Sequence, residues 1–185
     1  LARRLLEAAA YSAVGALVVL VVVFIVYMER QPDLYVWHTT VLDEEFTASS
    51  GVESFSDYLA LEERLFAQLD TEIYAQIPAD EHRLINRYHR GSLSDPERWP
   101  RNWNRSFELA ANEAKAGVLL LHGMSDSPYS LHSLGQRLNA AGALVVGLRI
   151  PGHGTAPSGL VEVTWQDMAA AVRLAMRHLA AQSEG

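Results

Sequence analysis

The chain has 185 residues, 49% of them hydrophobic, no cysteine and a formal charge of -7. That length holds one domain with attachments and excludes two full domains. Without cysteine there is no disulfide, no thiolate metal site and no cysteine nucleophile, and the acidic balance argues against nucleic acid as a general partner. Leu1 stands where a translation start would place Met, so the written start is expected to lie inside a longer sequence.

Residues 1–7 form a short tail with Arg3, Arg4 and Glu7, and residues 8–28, "AAAYSAVGALVVLVVVFIVYM", carry no charge. At about 1.5 Å per helical residue that run reaches roughly 31 Å, enough to cross a bilayer's hydrocarbon core. The valine-rich stretch Val18–Val26 would suit a strand in water, but in lipid a segment of this length satisfies its backbone as a helix. A cleavable signal peptide is the nearest rival. The run exceeds the usual apolar core of about 7–15 residues, and "ERQPDLY" after it offers no small-x-small cleavage site. The expectation is a single-pass signal anchor in a lipid bilayer. Counting basic residues near its ends places the N-terminus in the cytoplasm and the remainder outside.

Residues 29–105 form a polar, aromatic-spotted extension with a helix near 56–70. In "SFSDYLALEERLFAQLD", Tyr58, Leu61, Leu65 and Leu69 recur at helical spacing, with Phe66 beside them. Ser54 or Ser56 can cap the start, and Glu62, Glu63 and Arg64 are expected on the outer face. Further on, "RYHRGSLSDPERWPRNWNR" mixes Arg90, Arg98, Arg101 and Arg105 with Trp99 and Trp103. Asp95 and Glu97 dilute that charge, and Pro96 and Pro100 mark a turn-rich loop. A loop whose tryptophans pack on the domain is expected there, in preference to a nucleic-acid surface.

From Ser106 the pattern alternates: "SFEL" and "GVLLL" as strands, "SPYSLHSLGQRLNAAG" as a helix, "ALVVGLRI" as a strand, "TWQDMAAAVRLAMRHLAAQ" as a second helix. Ser127, Pro128 and Gly142 bracket the first helix, Leu131, Leu134 and Leu138 are its expected inner face, and Thr164 caps the second. Such alternation predicts an α/β fold with a mostly parallel sheet flanked by helices. Val118–Leu121 and much of Ala143–Leu148 read as strands buried on both faces. Eighty residues, 106–185, would leave one of those strands as an exposed edge. The expectation is therefore a truncated sheet.

Two loops follow the buried strands, "HGMSDSP" at 122–128 and "PGHGTAP" at 151–157. Both lie at carboxyl ends of parallel strands, where open α/β sheets place their ligands. Neither carries G-x-G-x-x-G or a Walker lysine, so a nucleotide is not expected. His122 and His153 lack the third ligand a metal needs, so neither a metal nor any other cofactor is expected. His132 and His178 read as helix-surface residues.

The stretches "LLLHGMSDSPYSLHSLGQRL", "LRIPGHGTAP" and "TWQDMAAAVRLAMRHL" resemble the α/β-hydrolase superfamily, in its monoacylglycerol lipase, carboxylesterase and serine aminopeptidase-like branch. The resemblance covers Phe107 to Ala181, the first half of that fold, and the segment before it resembles the N-terminal region of bacterial membrane-anchored hydrolases of this type. It implies that the Met124 backbone N–H is an oxyanion donor, that His122 and Gly123 shape the loop's turn, and that Gly152, His153 and Gly154 wall the substrate pocket. It also implies a G-x-S-x-G nucleophile followed by an acid and a histidine. None of those three is present. Ser125 follows the wrong strand, and Ser127 stands where the second glycine would be.

Residues 106–185 are accordingly expected to be the N-terminal portion of a hydrolase domain whose C-terminal half is missing. The whole protein is expected to be a serine hydrolase that cleaves a carboxylic ester, such as an acylglycerol or lysophospholipid, with an amide as the within-class alternative. These residues alone are expected to be inactive. The rival reading is a non-catalytic, membrane-tethered binding or scaffold protein built on a partial hydrolase sheet.

Overall fold

The computed structural model describes residues 2–31 and 33–183 in two compact units divided after Leu34. Leu1, Pro32, Glu184 and Gly185, which the sequence reading assigns to the tail, the extension and the end of the hydrolase segment, lie outside the described residues.

The first unit is helix α1, Ala2–Glu29, exposed along its length, with a mean hydropathy of 2.7 over its most apolar 18-residue window. It is long enough and apolar enough to cross a membrane. The β-branched run lies inside it, because a helix satisfies every interior backbone group from within the segment.

In the second unit, α2 (Val36–Thr39) is a single turn and α3 spans Phe55–Glu72. Strand β1 (Phe107–Leu109) and strand β2 (Ala116–Leu121) are followed by α4 (His132–Ala140), β3 (Ala143–Leu148), α5 (Gly159–Glu162) and α6 (Trp165–Gln182). Ser54 caps α3 by accepting from the Asp57 N–H at 3.1 Å, and Thr164 caps α6 through Asp167 in the same reciprocal box.

The three strands form a small mixed sheet in the order β1-β3-β2, β2 and β3 parallel and β1 antiparallel to β3. The antiparallel pair departs from the uniform alternation of the sequence. The link 110–115 between β1 and β2 is too short for a crossover, which needs a dozen or more residues, so the chain turns back. β3 is central and buried at all six positions. Leu144, Val146 and Leu148 face α3 and α6, meeting Tyr58, Leu61, Ala171 and Leu174, while Ala143 and Val145 face the α4 side with Phe107 and Leu120. β2 is an edge among the described strands, and of Val118–Leu121 only Leu120 is buried, Leu121 being 44% exposed. The two-sided burial expected of both strands holds for β3 alone.

On α4 the inner face differs from the expected leucine stripe. Ser127 makes no side-chain cap, Pro128–Leu131 forms a 3-10 turn, and Leu134 points to solvent. Gly135 lies inward instead, since a Cβ there would stand 3.2 Å from the Leu120 side chain. Nor are the two helix histidines simple surface residues. His132 packs against Trp103 and Phe107, and His178 Nε2 lies 2.8 Å from Glu108 Oε2.

The largest departure is Glu62. Its spacing from Tyr58 and Leu65 puts it on the apolar stripe of α3, and it is buried. One carboxylate oxygen accepts the Ser106 N–H (2.8 Å), and the other accepts the Ser106 hydroxyl (2.8 Å) and Arg149 Nε (3.1 Å). Arg149 follows β3 with no exposed surface and places Nη1 and Nη2 on the Glu45 carboxylate at 3.1 and 2.9 Å. Its backbone N–H donates to Ser106 Oγ (2.8 Å), and its carbonyl accepts the Tyr58 hydroxyl (2.6 Å). Burial opposes the guanidinium charge, but Glu45, Tyr58 and Glu62 outweigh it and hold the pKa above its ordinary value. Burial likewise pushes the Tyr58 phenol up.

Removing one partner of a buried ion pair strands the other, so Glu62→Ala is expected to cost about 3–5 kcal/mol. Glu63, the next residue, pairs with Arg105 while its own side chain is 72% exposed, and Glu63→Ala is expected to move stability little. Urea unfolding of the detergent-solubilised chain checks the contrast. Equal midpoint shifts for the two variants would contradict it.

Candidate functional site

Both glycine-bearing loops leave the carboxyl ends of β2 and β3 side by side, because those strands pair in parallel register from Ala116↔Ala143 to Leu121↔Leu148. After β2 the chain turns through Gly123, whose carbonyl accepts the Asp126 N–H at 3.2 Å. Asp126 Oδ1 then accepts the Ser127 N–H at 2.7 Å. After β3 the chain passes Gly152 and Gly154 at φ +80° and +77°, where L side chains are strained. A Cβ on Gly154 would also stand 2.9 Å from the Asn104 carbonyl.

His122 clasps the two loops. Its ring is buried, with Nδ1 2.8 Å from the Gly123 carbonyl and Nε2 3.1 Å from the Ile150 N–H. A carbonyl only accepts and an amide N–H only donates, so Nδ1 carries the proton and Nε2 accepts. The ring is neutral: burial lowers its pKa below 6.5, His153 lowers it further, and the Gly123 bond only partly opposes them. His153, buried 5.2 Å away centroid to centroid, donates from Nδ1 to the Pro151 carbonyl at 3.1 Å and leaves Nε2 buried without a partner among the described residues.

The second loop is held through its carbonyls. Arg149 Nη1 donates to His153 O (3.0 Å), Arg87 Nη2 to Gly154 O (3.1 Å), and the Tyr88 hydroxyl to Thr155 O (3.1 Å). Between the loops lies a cleft of about 410 Å³, with Met124–Ser127 on one wall, Gly152–Pro157 on the other, and Arg87, Tyr88 and Asn104 of the extension closing it.

The sequence-derived residues fall as follows. Met124 lines the cleft as a residue 75% exposed, and its backbone N–H has no hydrogen-bond partner among the described residues. His122 and Gly123 sit in the turn before it. Gly152, His153 and Gly154 line the opposite wall. Ser125 is exposed in the same cleft, and neither histidine is free to act on it, since both His122 nitrogens are engaged and His153 Nε2 is buried. Among the described residues no group of three His, Asp or Glu could hold a metal ion. Arg87, Tyr88, Asn104 and the Arg149 network escaped the sequence reading. Arg149, the one charge in the otherwise apolar run "ALVVGLRI", is a signal that could have found its own network.

No protein-family model matches the chain, and no curated protein does either. Among solved structures it is similar to one from work on LipS and LipT, two metagenome-derived lipolytic enzymes. That similarity has 30% sequence identity and a TM-score of 0.42, and it covers 44% of this chain and 33% of the other. The chain thus spans about a third of the length of that structure.

The clasp predicts a pH dependence. The unfolded chain protonates this imidazole near 6.5 while the folded ring stays neutral, so stability falls as pH drops below 6.5 and levels off below the folded pKa. His122→Gln, whose amide can also donate and accept but does not titrate, is expected to flatten that slope. Urea midpoints between pH 7 and 5 read it, and long-range 1H–15N NMR of the wild type is expected to show the Nδ1–H tautomer. An unchanged slope, or an imidazolium at pH 7, would refute the clasp.

Proposed function

We propose that the second unit supplies the oxyanion side of a serine-hydrolase site that cleaves carboxylic esters, such as acylglycerols or lysophospholipids, through an acyl-enzyme. The observation that carries the reading is the Met124 N–H, which has no partner among the described residues and belongs to a cleft-lining residue in the loop that the neutral His122 ring fixes. Attack by a serine oxygen on the ester carbonyl carbon turns the carbonyl oxygen into an oxyanion. A preorganised backbone N–H stabilises that oxyanion more than it stabilises the ground state. The serine's proton leaves with the alcohol through a base, and water then releases the acid. The 185 residues contain no G-x-S-x-G, so in this reading the serine and its base belong to polypeptide other than these residues. The free edge of β2 is where a further parallel strand would carry a nucleophile to within about 5 Å of β2, beside Met124.

Proline has no backbone N–H. In an esterolytic protein containing these residues, Met124→Pro is expected to lower kcat about 10²–10³-fold while Met124→Ala stays near wild type. The 185-residue chain itself is expected to turn over no p-nitrophenyl butyrate and to take up no fluorophosphonate. Labelling of Ser125 would overturn the reading, as would an unimpaired Met124→Pro enzyme.

The same reading makes α1 a single-pass anchor with its N-terminus in the cytoplasm and the second unit outside, supported by Arg3 and Arg4 ahead of the apolar run. With no native cysteine, Ser50→Cys on an exposed turn reports the side directly. A membrane-impermeant maleimide is expected to label it in intact spheroplasts. Labelling only after permeabilisation would reverse the orientation.

A further inference from the structure

A second cleft, of about 430 Å³, adjoins the first, and its apolar walls are Trp99, Trp103, Tyr129 and Pro96. The two clefts share Arg87, Asn104 and Ser127 and so adjoin along these residues. Trp103 packs at a tilt against His132 and Tyr129, at centroid distances of 4.5 and 5.1 Å, with the Arg101 guanidinium 5.5 Å from its ring centroid. The backbone beneath is also fixed, the Asn102 side chain donating to Glu97 Oε1 (2.8 Å) and accepting the Asn104 N–H (3.1 Å). Yet Trp99 is 62% exposed and Tyr129 55% exposed, a departure from the packed tryptophans the sequence suggests, since the turn Pro96–Arg98 directs the Trp99 indole outward. Rigid aromatic side chains left open give up their apolar surface to a ligand at little entropic cost.

Resting on the ester reading above, we infer that this aromatic cleft receives the apolar arm of the ester, an alkyl chain or ring whose carbonyl end lies beside Met124. Ser127, on the shared wall, is three residues from Met124, so an arm leaving the carbonyl meets the aromatic walls within a few bonds. The only charged lining residue is Arg87, which leaves no carboxylate to hold a cationic arm.

The test is binding, not turnover. Calorimetric titration of the full chain in nanodiscs with methyl butanoate, hexanoate and octanoate is expected to show affinity rising about two- to fourfold per added methylene. Trp103→Ala and the surface variant Tyr129→Ala are expected to flatten that series with the circular dichroism melt unchanged, and Trp103→Phe to restore it. A slope identical in wild type and variants would mean only partition into the disc and would overturn the inference. Trp99 quenching by brominated lipid, with no response to the esters, would also overturn it by assigning this face to the bilayer. Failure of the hydrolase reading looks different: 1-alkanols of equal length would bind as well as the esters, and the Trp103 dependence would remain.

Discussion

The second unit depends on the burial of one guanidinium. Arg149 directly follows the central strand, and its charge is met by Glu45 from the loop after α2 and by Glu62 from the core stripe of α3. One cation between two carboxylates leaves an excess negative charge out of water, which is costly unless the carboxylate oxygens are hydrogen-bonded. All four are: beside the Arg149 bonds, Ser106 donates twice to Glu62, and the Phe46 N–H donates to Glu45 Oε1 at 2.9 Å. A hydrophobic replacement of similar volume could match such a cluster in stability. Its effect is positional, since the network can form only when the extension, Ser106 just before β1 and Arg149 just after β3 meet in one arrangement.

That arrangement reaches the cleft through the same residue. Arg149 fixes His153 by its carbonyl, while His122 fixes Ile150, the residue after Arg149. The two loops are thus referred to one buried point, and Arg87 and Tyr88 add further bonds to loop carbonyls from the extension. The extension is therefore part of the cleft's construction. Its aromatic core, with Trp37, Phe66 and Tyr88, packs against Ala156 of the second loop.

What the sequence made legible was local chemistry. The Ser54 and Thr164 caps, the two glycine-rich loops and the apolar β3 follow from residue types at fixed offsets, and the structure has them at those offsets. What it hid was set by partners far along the chain. Glu62 sits at a core spacing, but a charged residue reads as outward-facing until a cation 87 residues away is known to meet it. Leu134 reads as core, yet the close approach of α4 to Leu120 and Phe107 puts Gly135 inward and leaves Leu134 exposed. The aromatic cleft was hidden for a related reason, because tryptophans in a proline-rich loop read as packing residues wherever they point.

The open edge and the open N–H belong to one geometry. Parallel strands carry their carboxyl ends to the same side of a sheet, so the β2 loop and the β3 loop share one rim. β3 is enclosed by β1 and β2, which leaves the far side of β2 as the one edge next to Met124 that a further strand can reach. A strand added there in parallel would deliver its own carboxyl end to that rim, on the side of the cleft facing away from the His153 loop. Met124 would then lie between the incoming loop and the Gly152–Gly154 wall, which is where a donor must stand to meet an oxygen attacked from one side and confined from the other. An antiparallel strand on the same edge would bring its amino end to the rim and no such loop. The proposed chemistry therefore requires a parallel partner on β2 as well as a serine.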